Sequence, residues 1–233
     1  MFVLYAHRGA SSYAPENTMR SFRLGHEQGA NGIETDIQCT KDGELVLFHD
    51  EYLQNLTGKN GKVCEYKFDE LLSLTVRNPD GTPSDNSIPR LEELLCYAKN
   101  NNLFLALELK QDNLVEKTIA QIENFLIQST TTVTSFNYDH IKEIKNHHSN
   151  IRTGYLIHKI EDHILDQMKQ INAEEICPYA ATLTSCDVAK ARKHGLSIRA
   201  WGVRDIEDAK KVISLGIDGM TVNFPDLCAP YLK

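Results

Sequence analysis

Leu103-Phe104-Leu105-Ala106-Leu107-Glu108-Leu109-Lys110 decides the fold. Leucine recurs at every second position, and side chains two apart on a strand share a face. The leucine face suits packing against helices. The opposite face then carries Glu108 and Lys110 at the strand's end, where burial is costly unless they are paired or used. Helical spacing follows over 114–127, and the alternation then repeats. Strands are expected at 132–136, 152–157, 175–179, 197–203 and 219–223. Helices are expected between them, at 140–147, 161–170, 185–194 and 206–214, with a last helical turn at 226–231.

The N-terminal part fits the same scheme. A short strand, Phe2-Val3-Leu4-Tyr5, ends at His7-Arg8-Gly9, and Asn17 or Thr18 is placed to cap a helix through Ser21, Phe22 and Leu24. Residues 32–38 form a second strand, Lys41-Asp42-Gly43 a tight turn and 45–48 a returning strand. Periodicity weakens from 51 to about 87, where Asn60-Gly61 and Pro79-Asp80-Gly81 mark turns. A helix over 90–101 presents Leu91, Leu94, Leu95 and Ala98 on one face. Apart from the returning strand, this gives eight strands, mostly separated by helices. They predict an α/β protein, a (β/α)8 TIM barrel forming one domain over 1–233, with a small insertion at about 51–87. An open doubly wound sheet is the runner-up, but no GxGxxG turn supports it.

The chain has 233 residues and a formal net charge of -7, which argues against nucleic-acid binding. No apolar run approaches the length of a membrane span, so stable membrane insertion is not expected. His7 and Arg8 interrupt the only candidate for a secretory signal. Cysteines 39, 64, 96, 177, 186 and 228 lack close spacing, which fits free thiols in a cytoplasmic protein better than a disulfide framework or a zinc site.

Barrel chemistry gathers at the C-terminal ends of the strands. Those ends offer His7 and Arg8, Glu34 and Asp36, His49, Glu108 and Lys110, Ser135 and Phe136, Trp201 and Asn223. Glu34 and Asp36 share a face, as do Glu108 and Lys110. Three carboxylates converging in a barrel mouth repel one another, and a hard divalent cation, Mg²⁺ or Ca²⁺, resolves that conflict. Each motif alone has a structural explanation; their coincidence on one rim is what a barrel does not need for stability. Arg199 lies deeper on the face of Trp201 and is expected to be paired inside the barrel. Trp201 itself suits either the barrel core or the apolar wall of a ligand site. The remaining histidines (26, 140, 147, 148, 158, 163 and 194) are expected mostly on solvated helices and turns.

These residues resemble the glycerophosphodiester phosphodiesterase family, in order along nearly the whole chain. His7-Arg8-Gly9 with Pro15-Glu16-Asn17-Thr18 resembles its opening motif, and the run Gly32 to Gly43 its metal strand and turn. Val46-Leu47-Phe48-His49-Asp50, Ile88 to Leu95, Leu107-Glu108-Leu109-Lys110, Ser135-Phe136 and Gly216-Ile217-Asp218-Gly219 also fit. The resemblance implies a divalent metal on Glu34, Asp36 and Glu108, acid/base histidines at His7 and His49, and phosphate binding by Arg8 and Lys110. Phe136 and Trp201 are candidates for the substrate pocket. The expected activity is hydrolysis of small glycerophosphodiesters, such as glycerophosphocholine or glycerophosphoethanolamine, to sn-glycerol 3-phosphate and an alcohol. The sequence departs from the family at Trp201-Gly202-Val203-Arg204 and at Gln54-Asn55-Leu56-Thr57-Gly58, which bears on the alcohol group. A lysophospholipase D acting on lysolipids, a metal-dependent barrel lyase and a non-catalytic phosphate-binding barrel are the alternatives.

Overall fold

In the computed structural model, which describes residues 1–232, strand pairing runs around a full circle. The N-terminal elements are β1 (Val3–His7), α1 (Met19–Glu27), β2 (Gly32–Cys39) and β3 (Leu45–Leu47). Two short helices, α2 (Gln54–Thr57) and α3 (Phe68–Leu72), precede α4 (Leu91–Asn101) and β4 (Phe104–Leu109). Then come α5 (Val115–Phe125), β5 (Thr131–Ser135), α6 (Tyr138–His147), β6 (Arg152–Ile157), α7 (Asp162–Gln170) and β7 (Glu175–Pro178). The chain ends with α8 (Ser185–Lys193), β8 (Ser197–Ala200), α9 (Ile206–Ser214), β9 (Gly219–Val222) and α10 (Pro225–Cys228). Eight of the nine strands pair in parallel, and β1 joins both β2 and β9, closing the (β/α)8 barrel. The ninth, β3, lies antiparallel on the outer half of β2.

Alternation fixes which face is inside. Leu105, Leu107 and Leu109 of β4 are buried with Ile33 and Ile37 of β2 under Leu91, Leu94 and Leu95 of α4 and Ile119 and Ile122 of α5. Burying each such leucine contributes about 2 kcal/mol, and a one-residue slip would turn the whole row into the lumen. The other half of the ring packs Leu4, Ile176, Ile198 and Met220 against Leu165, Val188 and Val212. The segment 51–87 has a small apolar core with its flanks, in which Phe48, Leu53, Val63, Phe68, Leu71, Val76 and Ile88 pack beside β3.

One strand stops well short of its hydrophobic run, which reaches Val203. β8 ends at Ala200, and only an isolated bridge joins Tyr179 to Trp201 beyond it. The chain turns at Gly202, whose φ is +71° and where a Cβ would lie 2.4 Å from the Tyr179 ring. No helix among the described residues is long and apolar enough to cross a membrane.

Candidate active site

His7 closes β1, and the next residue leaves the strand in an unusual way. Arg8 has φ +55°, a left-handed conformation that a non-glycine residue holds only when its surroundings enforce it. Its carbonyl accepts from Ser21 Oγ at 2.8 Å and from the Asn17 N–H at 3.0 Å, and its own N–H donates to the Glu34 carbonyl at 2.9 Å. Gly9 follows at φ +83°; a Cβ there would sit 2.3 Å from the Ser21 carbonyl carbon. Thr18 caps α1 by accepting from the Ser21 N–H. Asn17, at φ +54°, instead turns its side chain into the site. It donates to Asp36 Oδ2 at 3.0 Å and accepts from Thr35 Oγ1 at 2.7 Å.

Register then brings the carboxylates together. His7 lies opposite Glu34, and Asp36 lies opposite Glu108. Ligand oxygens of Glu34, Asp36 and Glu108, all three buried, lie within 4.8 Å of one another. Lys110 Nζ donates to Glu108 Oε1 at 2.8 Å and stands 3.6 Å from Asp36 Oδ1. Arg8 Nη1 donates to Glu16 Oε1 at 3.0 Å, and its Nε is 3.3 Å from Asp36 Oδ2. That Nε is buried and lacks a well-aligned acceptor, so one guanidinium donor is left over.

The charges are unevenly compensated. Burial first, then Asp36 and Glu108, push the Glu34 carboxyl well above the usual range. Burial and Asp36 also raise Glu108, partly offset by Lys110. Burial opposes ionisation of Asp36 too, but Arg8, His49, Lys110 and the Asn17 hydrogen bond together hold it below its ordinary value. Three buried carboxylates thus face two cations. An all-oxygen cluster with that excess of negative charge fits a hard divalent cation.

His7 Nδ1 is 2.6 Å from Asn223 Oδ1, an acceptor, so Nδ1 carries the proton and Nε2, 3.8 Å from Glu34 Oε2, is bare. Desolvation and then Arg8 lower this imidazole to about 4, which keeps it neutral at pH 7. His49 leaves β3 with its Nδ1 3.0 Å from Asp50 Oδ1. Gln38, two residues past Asp36 and on the same face, fixes this segment by donating to the Phe48 and Asp50 carbonyls at 2.9 and 2.8 Å. His49 acts electrostatically on both Asp36 and His7.

Phe136 lines a cavity of about 340 Å³ together with Glu108 and Lys110. Trp201 packs edge-on against Phe136 with ring centroids 5.3 Å apart, and donates from Nε1 to the Ile157 carbonyl at 3.0 Å. His158 and Tyr179 complete this aromatic cluster. A larger cavity of about 680 Å³ lies beside Met1, Phe2 and Pro230 and contains none of these residues. Arg199 is paired inside the barrel, as expected, with Glu175 Oε1 3.0 Å from its Nε. His140 departs from its expected solvated setting: it is 7% exposed and hydrogen-bonded through both ring nitrogens.

The sequence motifs, their order and this clustering have a counterpart among known proteins. A model of the glycerophosphoryl diester phosphodiesterase family matches residues 7–227. The chain belongs to that family. A glycerophosphodiester phosphodiesterase of Bacillus altitudinis is 32% identical over 251 residues, covering 97% of this chain and 96% of the relative. The solved structure of an Oleispira antarctica phosphodiesterase, in complex with its product sn-glycerol-3-phosphate, superimposes with TM-score 0.87 at 26% identity, covering 99% and 96% of the two chains. A glycerophosphodiester phosphodiesterase of Thermotoga maritima gives TM-score 0.82 at 25% identity over 99% and 98%. Family membership accounts for the motifs on the rim. Asn17, Glu16, Gln38 and Asp50, which hold the candidate residues in place, lie within the quoted motifs, but the sequence assigns them no part in the site; Asn17 reads there only as a candidate helix cap. For Gln38 the signal is the period-two continuation of Glu34 and Asp36.

Proposed function

We propose that this chain hydrolyses small glycerophosphodiesters, such as glycerophosphocholine or glycerophosphoethanolamine, to sn-glycerol 3-phosphate and an alcohol. The observation that carries the reading is the buried cluster of Glu34, Asp36 and Glu108, with Arg8, Lys110 and His7 against it. Glu34, Asp36 and Glu108 are the residues that would hold Mg²⁺ or Ca²⁺, which supplies positive charge and Lewis acidity to phosphate oxygens.

The side chains have separable tasks. Arg8 and Lys110, both partly buried, take the charge that builds on the phosphoryl oxygens. His7, neutral with Nε2 bare, accepts the proton of the attacking group, the substrate's own glycerol hydroxyl, whose attack releases the alcohol and leaves a cyclic phosphate that water then opens to glycerol 3-phosphate. His49, oriented by Asp50, delivers a proton to the departing oxygen. Phe136 and Trp201 form an apolar wall beside the cavity that Glu108 and Lys110 line, and contact the part of the substrate that lies beyond the phosphate. The insertion at 51–87 and the barrel act as one domain, sharing the apolar cluster at β3. The scattered cysteines, present as free thiols, fit a cytoplasmic setting.

A coupled assay that oxidises released glycerol 3-phosphate tests the reading across a panel of head groups. Release is expected from glycerophosphodiesters and not from lysolipids. His7→Ala and His49→Ala should each lower kcat by about 10²–10⁴. Activity on lysolipids alone, or full activity in either variant, would overturn it.

A further inference from the structure

His140 is a buried histidine that the proposed reaction does not use. It stands in the first turn of α6 and lines the cavity shared by Glu108 and Lys110. Its Nε2 is 2.9 Å from Asp112 Oδ1, and its Nδ1 is 3.0 Å from Ser135 Oγ. The Asn137 N–H donates to that same Ser135 Oγ at 3.0 Å. For a neutral imidazole these contacts allow one consistent set of protons. Ser135, having accepted from Asn137, donates its hydroxyl to Nδ1, so Nε2 carries the imidazole proton and donates it to Asp112. A backbone amide, a serine, a histidine and an aspartate thus form a directed chain ending on the loop after β4.

That loop carries Lys110. Lys110 is its first residue, and the connection from β4 to α5 is only five residues long, 110–114. It is tied down three times. The Lys110 N–H donates to the Ile37 carbonyl at 3.2 Å. The Gln111 side chain accepts from the Cys39 N–H at 3.0 Å and donates to Gln38 Oε1 at 3.2 Å. Asp112 is tied only through His140: among the described residues its carboxylate makes no other side-chain hydrogen bond. Asn113, at φ +63°, then reverses the chain into α5. The first two ties anchor the loop to β2, the metal strand. The third pulls its far end toward β5 and α6.

We propose that His140 is a positioning residue for Lys110. Acting through Asp112, it holds the loop so that the ammonium stays aimed at the phosphate rather than swinging out with a mobile turn. Ser135 sets the tautomer that makes this possible. The inference rests on the proposed role of Lys110. A charged group displaced by an ångström loses much of its effect on a transition state, so the consequence is kinetic more than structural.

The test is a set of variants assayed for glycerol 3-phosphate release. His140→Phe fills the same space without the hydrogen bonds, and Asp112→Ala removes the exposed partner with little risk to folding. Each should lower kcat/KM about tenfold with the melting temperature nearly unchanged. His140→Gln, which can still donate to Asp112, should recover most of that loss. The loss should vanish when His140→Phe is placed in a Lys110→Ala background, read by single turnover with enzyme in excess, because non-additivity marks groups that act as a unit. An unchanged rate in His140→Phe, no rescue by Gln, or the same factor lost with and without Lys110 would overturn the inference. Full activity in Lys110→Ala alone would instead overturn the role given to Lys110.

Discussion

Replacing Glu34 by Gln separates what the carboxylate cluster does for function from what it does to stability. The oxygens of Glu34, Asp36 and Glu108 lie within 4.8 Å of one another. At an effective dielectric of about 20, two charges at that distance repel by about 3.5 kcal/mol. Arg8 and Arg199 offset part of this for Glu34, yet the net environment still disfavours its charge, by burial first and by Asp36 and Glu108 next. Glutamine keeps the shape and removes the charge. A net gain of about 1 kcal/mol in the metal-free protein corresponds to a rise of roughly 2–4 °C in melting temperature for a chain of this size. Metal at one hundred times its dissociation constant stabilises the unaltered protein by about 2.7 kcal/mol. That is roughly 5–10 °C on the same scale. The order of stabilities should therefore cross. In EDTA, Glu34→Gln melts higher; in saturating Mg²⁺ or Ca²⁺, the unaltered protein does.

The pH dependence follows from the same shift. A carboxyl whose pKa is raised on folding binds more protons folded than unfolded, so its charge lowers stability as pH rises. The advantage of Gln in EDTA should be absent below the ordinary carboxyl value of 4.5 and should grow as pH rises above it. Differential scanning fluorimetry at pH 5 and pH 8, with and without metal, reads all of this. A variant that melts lower in EDTA at pH 8, or keeps the full metal-induced shift, would refute the argument.

Three other outcomes follow from the packing. Asn17→Ala removes the donor to Asp36 and the acceptor for Thr35 Oγ1 and leaves alanine at φ +54°, so urea unfolding should show a loss of about 2–4 kcal/mol. Asn17→Gly should recover the backbone part only. Gly9→Ala places a Cβ 2.3 Å from the Ser21 carbonyl carbon, a backbone atom, at φ +83°, so the variant should fail to reach a cooperative thermal transition. Arg199→Met leaves buried Glu175 with only Arg152 at 3.7 Å and the Cys177 thiol, and should cost about 3 kcal/mol in chemical denaturation, a loss that Glu175→Gln in the same chain should partly reverse.

The barrel was legible because its strands carry a simple code. The leucines at 103, 105, 107 and 109 give one face, Glu108 and Lys110 the other, and the same parity puts Glu34 and Asp36 in the mouth. Family motifs then tied His7, Arg8 and His49 to that rim. What holds those residues was less visible, since it depends on closure of the chain. Asn17 looks like one of two candidate helix caps; Thr18 takes the cap, and the left-handed backbone at 17 turns the amide toward Asp36. Glu16 meets Arg8 only because Arg8 leaves the strand at a positive φ. His140 sits at a position that periodicity assigns to a helix, and nothing local shows that Ser135 and Asp112 close over it. The strand end at Ala200 also comes early, because Gly202 turns the chain against Tyr179.

The central claim is that three buried carboxylates on one rim hold the divalent cation on which phosphodiester cleavage depends. The most direct measurement is glycerol 3-phosphate release by EDTA-stripped protein, before and after titration with Mg²⁺ or Ca²⁺, alongside Asp36→Asn treated in the same way. The account predicts release that disappears in EDTA, returns with the metal, and does not return in the variant. Release that persists in EDTA, or returns equally in Asp36→Asn, would contradict it.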